Sequence, residues 1–220
     1  MLPKVFSYIP FFVHFCLAVA VHAFAHAYMA YRMGDPTARN HGRLTLNPLA
    51  HLDPVGTLCL LFGWFGWGKP VPIDPRNLRN PRRDSVWISA AGPLANVLLA
   101  VVFACGLWAL NAWPLSVSMS ESVLVAVSWA LVVGVLLNLS LACFNLLPVF
   151  PLDGEKVIVG LIPGRWVRTA LRVRNYGMVV LFFLLASGPV FGYSIFGWLV
   201  DWVIYPLFRF LVPPGFEGYY

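Results

Sequence analysis

The chain has 220 residues, of which 60% are hydrophobic and only 11% are charged. So few charged side chains cannot solvate the surface of a water-soluble globule of this size, which excludes the soluble and disordered classes of protein. The net charge of +6 does not indicate a nucleic-acid partner, because the basic residues lie in short segments between apolar runs. We therefore expect a protein embedded in a lipid bilayer.

Four runs without Asp, Glu, Lys or Arg are long enough to cross the hydrocarbon layer, which takes roughly 20 apolar residues. They predict membrane-spanning helices at about residues 5–31, 86–110, 122–147 and 176–210, the last of which continues past the charge-free run that ends at Asp201. The last run is interrupted at Ser187, Gly188 and Pro189 and therefore predicts one or two segments. The sequence thus predicts an all-α polytopic membrane protein with about four to six transmembrane segments, forming a single membrane-embedded domain over residues 1–220.

A less regular region lies between the first two predicted spans, at about residues 44–74. Its apolar part, from Val55 to Trp67, is short for a crossing and contains three glycines. We interpret this region as a re-entrant or interfacial element.

Basic residues are concentrated in three connecting segments, which lie between Arg32 and Arg43, between Lys69 and Arg83, and between Lys156 and Arg174. Short basic loops stay preferentially on the cytosolic side of a membrane. We therefore expect these three segments to be cytosolic and the amino terminus to lie outside.

His22 and His26 lie within the first predicted span. Ionisable residues inside spans are energetically costly and are therefore candidates for function. Two histidines four residues apart share one face of a helix and can bind one metal ion together. The alternative is a pair of packed structural histidines, although a buried imidazole still needs hydrogen-bond partners.

A second polar element follows the third predicted span, with the sequence Asn145-Leu-Leu-Pro148-Val-Phe-Pro151-Leu-Asp153-Gly154. If Asp153 reached the two histidines, it would complete a tetrahedral metal site with a water in the fourth position. The alternative is that Asp153 and Gly154 form only a turn at a helix end. Under the predicted topology the two elements lie toward the cytosolic ends of their spans, so they can meet at the same depth.

These elements resemble those of the site-2 proteases, which are intramembrane zinc metalloproteases with H-E-x-x-H on one span and N-x-x-P-x-x-P-L-D-G on a later one. Shorter stretches also match in the family's order: Gly34-Asp35-Pro36-Thr37-Ala38, Asn47-Pro48-Leu-Ala-His51-Leu-Asp53-Pro54-Val-Gly56-Thr57, Gly68-Lys69-Pro70-Val71-Pro72, Asn80-Pro81-Arg82 and Ala91-Gly92-Pro93-Leu-Ala-Asn96. No stretch resembles the PDZ or CBS domain that some relatives carry, so the chain resembles a minimal member.

The resemblance implies one Zn²⁺ per chain, with His22, His26 and Asp153 as its ligands. It also implies that Asn145 binds the substrate backbone or stabilises the oxyanion. The alternative for Asn145 is a helix-capping or interhelical hydrogen bond. The implied partners are transmembrane protein substrates, cleaved within or near their membrane segments, and the implied location is a prokaryotic plasma membrane with the site toward the cytosol.

The resemblance further implies a small membrane-associated β element in the loop after the first span. Its edge would be formed by Gly68, Lys69, Pro70 and Val71, and an unwound substrate segment would bind there as an added strand. The alternative is a plain interfacial loop, since Pro70 and Pro72 lack N–H groups and can lie only at an edge.

One position departs from the family motif, because Ala23 stands where the Glu of H-E-x-x-H is expected. That Glu is not a metal ligand; it acts as general base on the attacking water and then as general acid toward the leaving amine. Alanine can do neither, and acid–base catalysis typically contributes about 10²–10⁴-fold. We therefore predict a chain that binds zinc but cleaves little or nothing.

Two explanations are open for Ala23: an engineered substitution in an active protease, or a natural pseudoprotease that holds a membrane partner without cutting it. A metal transporter is a less favoured alternative, because neither an internal repeat nor a polar path across several spans is evident.

Three further polar residues lie in or beside apolar sequence. His51 and Asp53 suggest a second metal site, but we favour a structural loop in which Asp53 accepts backbone hydrogen bonds. Asn138 begins a sequence like a glycosylation acceptor, but it lies within a predicted span and is not expected to be one.

Overall fold

The computed structural model describes residues 4–63, 66–112, 120–192 and 194–216. Within these ranges the chain forms ten α-helices: α1 Lys4–Arg32, α2 Thr37–Asn40, α3 Pro54–Gly63, α4 Pro81–Ala112, α5 Glu121–Asn145, α6 Asp153–Leu161, α7 Gly164–Arg174, α8 Gly177–Phe191, α9 Ile195–Leu199 and α10 Tyr205–Leu211. Two 3₁₀ turns, Pro48–Ala50 and Pro75–Asn77, flank α3, and a π-helical turn, Val200–Ile204, joins α9 to α10.

Three of these helices are long and apolar enough to cross a bilayer, namely α1 from Ile9 onward, α4 and α5. Helices α7 and α8 make a fourth candidate if they form one crossing, bent by 61° where they meet. The architecture agrees with the predicted all-α polytopic class, with three or four candidate crossings among the described residues rather than four to six. The predicted span at 176–210 is broken after α8, where Gly192 has a φ of 70° that favours glycine.

Helix α4 is the central element, since it packs against α1, α5 and α6. On α1 the buried positions are mostly alanines: Ala18, Ala20, Ala23, Ala27 and Ala30. Small side chains let the backbones of two membrane helices approach closely, which strengthens their van der Waals packing. This packing holds the histidine-bearing part of α1 against α4.

A hydrophobic core lies further along α4, between α4, α5 and the carboxy-terminal helices. Leu107, Val135, Leu139, Ile204 and Phe208 are all buried in it. In contrast, large apolar side chains on the outer surfaces of the helices are exposed, with Phe210 84% exposed and Leu98 67% exposed. An apolar exterior around helices of this length is what a hydrocarbon solvent requires.

The predicted β element is not found, because the described residues contain no strand. They contain one isolated antiparallel bridge between Leu52 and Gly68, extended only by a hydrogen bond from the Lys69 N–H to the His51 carbonyl at 2.7 Å. Pro70 and Pro72 have no N–H to continue the ladder. The guanidinium of Arg43 donates instead to the carbonyls of Lys69 and Pro70, at 2.8 and 3.1 Å.

The apolar part of the same region forms α3. Its ten residues span about 15 Å, which is half the thickness of a hydrocarbon core. Val55, Leu58, Leu61 and Phe62 are exposed on its surface. The helix therefore has the length and the apolar exterior of an interfacial or re-entrant element; residues 64 and 65, which follow it, lie outside the described ranges.

The loop after α1 is organised by the fully buried carboxylate of Asp35. One oxygen accepts hydrogen bonds from the Thr37 N–H at 3.0 Å and from the Asn77 amide at 2.9 Å. The other accepts from the Asp74 N–H at 2.8 Å. Asp35 thus ties the end of α1 to the segment that leads into α4.

Candidate metal centre

Helix α1 places His22 and His26 on consecutive turns of one face, as the spacing predicts. Their Nε2 atoms lie 2.9 Å apart, and the rings meet nearly edge to face. His26 is buried and His22 is partly buried, both where α1 packs against α4. The imidazole edges therefore point toward one shared spot inside the helix bundle.

Asp153 reaches the same spot from the first turn of α6. Its Oδ2 lies 3.2 Å from Nε2 of His22 and 3.1 Å from Nε2 of His26. The neighbouring Gly154 permits this approach, since a Cβ at that position would lie only 2.1 Å from the carbonyl oxygen of Leu146. Asp153 and Gly154 do start a helix after a turn, and the turn delivers the carboxylate to the histidines.

Hydrogen bonds at the far side of each ring determine the tautomers of the two histidines. His26 Nδ1 lies 2.6 Å from the carbonyl oxygen of Ile88, which can only accept, so Nδ1 must carry the proton. His22 Nδ1 lies 2.7 Å from Oδ1 of Asn96. In the neutral tautomers both Nε2 atoms therefore present lone pairs to Asp153.

A chain of buried amides supports the orientation of Asn96. Its Nδ2 donates to the Ala18 carbonyl at 3.2 Å and to Oδ1 of Asn138 at 2.8 Å. Asn138 in turn donates to the Gly134 carbonyl at 2.8 Å. Since the Ala18 carbonyl can only accept, Nδ2 of Asn96 faces it and Oδ1 is left to accept from His22.

Sequence reasoning did not assign this network to the site. In the sequence, Asn96 stands out only as the last residue of the matching stretch 91–96, and Asn138 only as the start of a sequence like a glycosylation acceptor. Both are fully buried amides in spanning helices. A polar side chain without charge at the centre of an apolar span was the signal that could have found them.

Gly92 of α4 leaves the space that the two imidazoles occupy. A Cβ built on Gly92 would lie 2.3 Å from Nε2 of His26 and 2.7 Å from Nε2 of His22. Only a residue without a side chain permits α4 to pass this close to the imidazoles. Gly92 therefore belongs to the site. The match of residues 91–96 to the family does not by itself indicate that Gly92 makes room for the imidazoles.

The chemistry of this cluster fits a metal ion. Among the residues that the structure describes, His22, His26 and Asp153 are the one group of three or more potential ligands, with their ligand atoms within 4.8 Å of one another. Two imidazole lone pairs and a carboxylate at about 3 Å from each other repel unless a cation lies among them. Nitrogen and carboxylate donors of this kind suit zinc, with three protein ligands and one open position.

Residues 112–188 match the family model of Peptidase family M50. A protein of Bacillus subtilis (strain 168) named "Putative zinc metalloprotease YwhC" is 37% identical over 171 residues, which are 78% of this chain and 77% of that protein. The chain belongs to peptidase family M50, the site-2 protease family.

Two mycobacterial proteins, both named "Putative zinc metalloprotease Rip2", are more distant relatives of this M50 chain. The one from Mycolicibacterium smegmatis is 27% identical over 177 residues, which are 78% of this chain and 64% of that protein. The one from Mycobacterium tuberculosis is 27% identical over 194 residues, which are 84% of this chain and 70% of that protein. No solved structure matches this chain significantly.

Family membership and the apolar helices make this chain a multi-pass membrane protein of the zinc metalloprotease class, site-2 protease type. Ala23, which stands where the resemblance to the site-2 proteases implies a Glu, is 5% exposed on α1. The other buried carboxylates of the described chain are engaged elsewhere: Asp35 in its loop, Asp84 with the Asn80 N–H, and Glu155 with Arg174. None of these three carboxylates is hydrogen-bonded to His22 or His26.

Asn145, the other predicted catalytic residue, lies at the carboxy-terminal end of α5. Its amide nitrogen donates to the Leu141 carbonyl of the same helix at 2.9 Å. This hydrogen bond lies within α5 and uses only the nitrogen of the Asn145 amide. The substrate contact assigned to Asn145 stays a prediction.

The predicted substrate segment, residues 68–71, lies beside α1 at Val19, which is three residues before His22. A Cβ on Gly68 would lie 2.7 Å from Cγ1 of Val19. The carbonyls of Lys69 and Pro70 are occupied by Arg43, and the described residues contain no strand that a substrate could extend. Binding of substrate at residues 68–71 therefore stays a prediction that now lacks its β sheet.

His51 and Asp53 are not hydrogen-bonded to each other, and neither belongs to the cluster of His22, His26 and Asp153. His51 is fully buried, with Nε2 at 2.7 Å from the Thr45 carbonyl. Asp53 accepts from the Gly56 N–H at 2.9 Å. Burial lowers the pKa of the His51 imidazole, and the nearby positive charge of Arg43 lowers it further, although the Thr45 carbonyl opposes both effects. Both residues have the structural surroundings that the loop interpretation expects.

Proposed function

We propose that this chain is a site-2 protease core with an intact zinc site and no proteolytic activity, and that Glu at position 23 makes it an intramembrane endopeptidase. The observation that carries the proposal is the convergence of His22, His26 and Asp153 from two helices, beside an alanine at the position of the general base. In this proposal the three residues are the zinc ligands.

Each ligand is held in a form that favours a cation. The Asn96 and Ile88 oxygens keep the protons of the two imidazoles on Nδ1, so that Nε2 is free to bind. Asp153 supplies the negative charge that offsets part of the charge of a divalent ion. Bound zinc would activate water for attack and polarise the scissile carbonyl.

The missing function is proton transfer. A carboxylate at position 23 would lie on α1 directly beside the first ligand, where it could take a proton from the attacking water and return one to the leaving amine. The methyl group of Ala23 can neither accept nor donate a proton. Peptide hydrolysis by this chain is therefore slower than that of the Glu form by about 10²–10⁴-fold.

The proposed substrates are single transmembrane segments of other membrane proteins. The site lies between α1, α4 and α6 behind apolar helix surfaces, which favours a substrate that approaches from the bilayer. A helical substrate hides its amides in its own hydrogen bonds, so it must unwind locally before hydrolysis. The concentration of basic loops near the ends of α1 and α4 supports a cytosolic orientation of the site in a prokaryotic plasma membrane.

The test compares this chain with its Ala23→Glu and Ala23→Gln forms, reconstituted with a panel of single-span substrates. Zinc content is measured by elemental analysis and cleavage by gel shift. We expect about one zinc in all three forms, and cleavage that appears only with Ala23→Glu and disappears with chelator. The Gln form is the matched control, since it has the shape of Glu without its basicity.

Two outcomes contradict parts of the proposal. If Ala23→Glu binds zinc but cleaves no member of the panel, the chain is better described as a membrane binding protein that holds partners without cutting them. If no form binds zinc, or if Asp153→Ala retains the zinc, the assignment of the three ligands is wrong.

A further inference from the structure

A pocket lies where α1 ends and α4 begins. It has a volume of about 220 Å³ and is lined by Arg32, Met33, Arg79, Asn80, Arg83, Asp84 and Trp87. We call it the arginine pocket. It shares no residue with the metal centre, and neither the family match nor the relatives' names assign it a role.

The pocket carries an excess of positive charge. Within the described part of the chain, the three arginines of the pocket have neither an ion pair nor a hydrogen bond from the side chain, whereas Arg76 pairs with Asp74 at 2.7 Å and Arg174 approaches Glu155 at 3.8 Å. Like charges brought together in a concave surface repel one another unless an anion binds among them.

The one acid of the pocket does not neutralise these guanidiniums. Asp84 is 8% exposed, and its Oδ2 accepts from the Asn80 N–H at 2.8 Å, while the Asp84 N–H donates back to the Asn80 carbonyl at 2.8 Å. These reciprocal bonds cap the start of α4. With Asp84 engaged there, three positive charges face the pocket against one negative charge.

Position supports a ligand at the level of lipid headgroups. Arg32 closes the spanning part of α1, and Asn80 immediately precedes the spanning helix α4. Trp87 is half exposed about two turns further along α4, in the setting where tryptophan is enriched at membrane–water boundaries. The pocket therefore opens where the apolar surface gives way to water.

The chemistry of the groups that line the pocket favours phosphate. The planar guanidinium group matches the paired oxygens of a phosphate, and the start of a long helix adds a favourable dipole. Other arginines do not converge in this way, since Arg165, Arg168 and Arg172 are spread along the single helix α7. Their positions are explained by the excess of basic residues in cytosolic loops.

We propose that the arginine pocket binds a phosphate group, which is the chemistry shared by an anionic phospholipid headgroup and a soluble phosphate. The site holds the anion between the end of α1 and the start of α4. It is independent of zinc binding and of proteolysis.

The experiment measures lipid binding to the detergent-solubilised full chain by native mass spectrometry. Phosphatidylglycerol is titrated against phosphatidylcholine. We expect one high-affinity phosphatidylglycerol per chain. The double variant Arg79→Gln, Arg83→Gln should weaken this affinity about 30-fold, because each guanidinium that lies against the bound headgroup contributes about fivefold to the binding of an anionic lipid.

The matched control is Arg165→Gln, Arg168→Gln on α7, which removes the same charge outside the pocket and should change the affinity less than about twofold. Thermal unfolding and zinc content of both double variants are compared with the unsubstituted chain to confirm folding. Equal weakening by both variants, or unchanged affinity in the pocket variant, overturns the proposal.

A competition arm separates the two sources of phosphate. If inorganic phosphate or pyrophosphate displaces the lipid only at high concentration, the ligand is a phospholipid. If these soluble anions bind in the pocket more tightly than phosphatidylglycerol and lose affinity only in the pocket variant, the site is supported with a soluble phosphate as its ligand.

Discussion

At the scale of single residues, the site depends on groups that never contact the metal position. Asn96 and the Ile88 carbonyl hold the Nδ1 protons of the histidines, and Asn138 holds Asn96. These amides lie inside apolar helices, where an unsatisfied polar group costs several kcal/mol. They are therefore retained only with partners, and the partners orient the ligands.

Replacing Asn96 by Ala should lower zinc affinity about 10- to 100-fold, because the hydrogen bond that orients His22 is lost. A competition titration with a fluorescent chelator measures the change. Asn145→Ala is the matched control, since it removes an amide of the same kind from a spanning helix. The Asn145 amide donates to the Leu141 carbonyl and is not hydrogen-bonded to either histidine. Equal losses in the two variants would show that Asn96 acts only through general stability.

Replacing Gly92 by Ala should abolish zinc binding, because the new Cβ would lie 2.3 Å from Nε2 of His26. On the same helix, Gly106→Ala brings a Cβ to 3.2 Å from the flexible end of Leu131 and should be tolerated. Zinc content of the two purified variants is the measurement. Normal zinc content in Gly92→Ala would mean that α4 does not confine the imidazoles.

At the scale of secondary-structure elements, the loop between α1 and α4 is held by charge and not by a sheet. The Asp35 carboxylate gathers donors from both ends of this loop, and the Arg43 guanidinium gathers carbonyls from its middle. A β ladder was the expectation for this region. Prolines without N–H groups and an arginine that occupies the carbonyls leave a single bridge in its place.

Asp35→Asn should lower the stability of the chain, by about 2 kcal/mol, because a buried acceptor of several hydrogen bonds loses its charge. Burial by itself raises the pKa of Asp35, but hydrogen bonds from Thr37, Asn77 and Asp74 outweigh it, and the pKa lies below its ordinary value. The stabilisation is therefore complete above the pKa of the unfolded state, about 3.9, and is lost as the pH falls through the lower pKa of the folded state.

Thermal unfolding in detergent, followed as a function of pH, checks this prediction. The unsubstituted chain should lose stability in acid more steeply than Asp35→Asn, so that the two curves converge. Asp74→Asn provides the control, because its ion pair with Arg76 lies at the surface and should contribute little. Parallel curves at all pH values would contradict the role assigned to Asp35.

At the scale of the whole molecule, the metal centre joins parts of the chain that are 127 residues apart. It links α1 to α6 beside α4, the helix that contacts both. A ligand that binds only the folded state stabilises that state by mass action. Zinc should therefore act on the stability of the entire helix bundle as well as on catalysis.

Removal of zinc by a chelator should lower the unfolding temperature, with a loss of about 4 kcal/mol if free zinc stood at 1,000 times its dissociation constant. The chelator should have no effect on His26→Ala, whose site is incomplete. Ala23→Gln should respond like the unsubstituted chain, because residue 23 is not a ligand. An unchanged unfolding temperature in the presence of chelator would show that zinc does not bind the folded chain.

Much of this arrangement follows from local sequence. Charge-free runs located α1, α4 and α5, since burial of some 20 apolar residues in hydrocarbon does not depend on which neighbours they meet. The spacing of His22 and His26 places them on one face of any helix. The replacement at position 23 is likewise evident without a structure, because the chemistry of a methyl group is the same in every fold.

Tertiary structure alone decided the rest. The approach of Asp153 to the histidines, the amide network behind them and the absence of a β ladder all depend on how α1, α4 and α6 pack. The arginine pocket likewise exists only because α1 ends beside the start of α4. Hydropathy and residue spacing are properties of one segment, whereas these features arise where small residues such as Gly92 allow distant helices to approach closely.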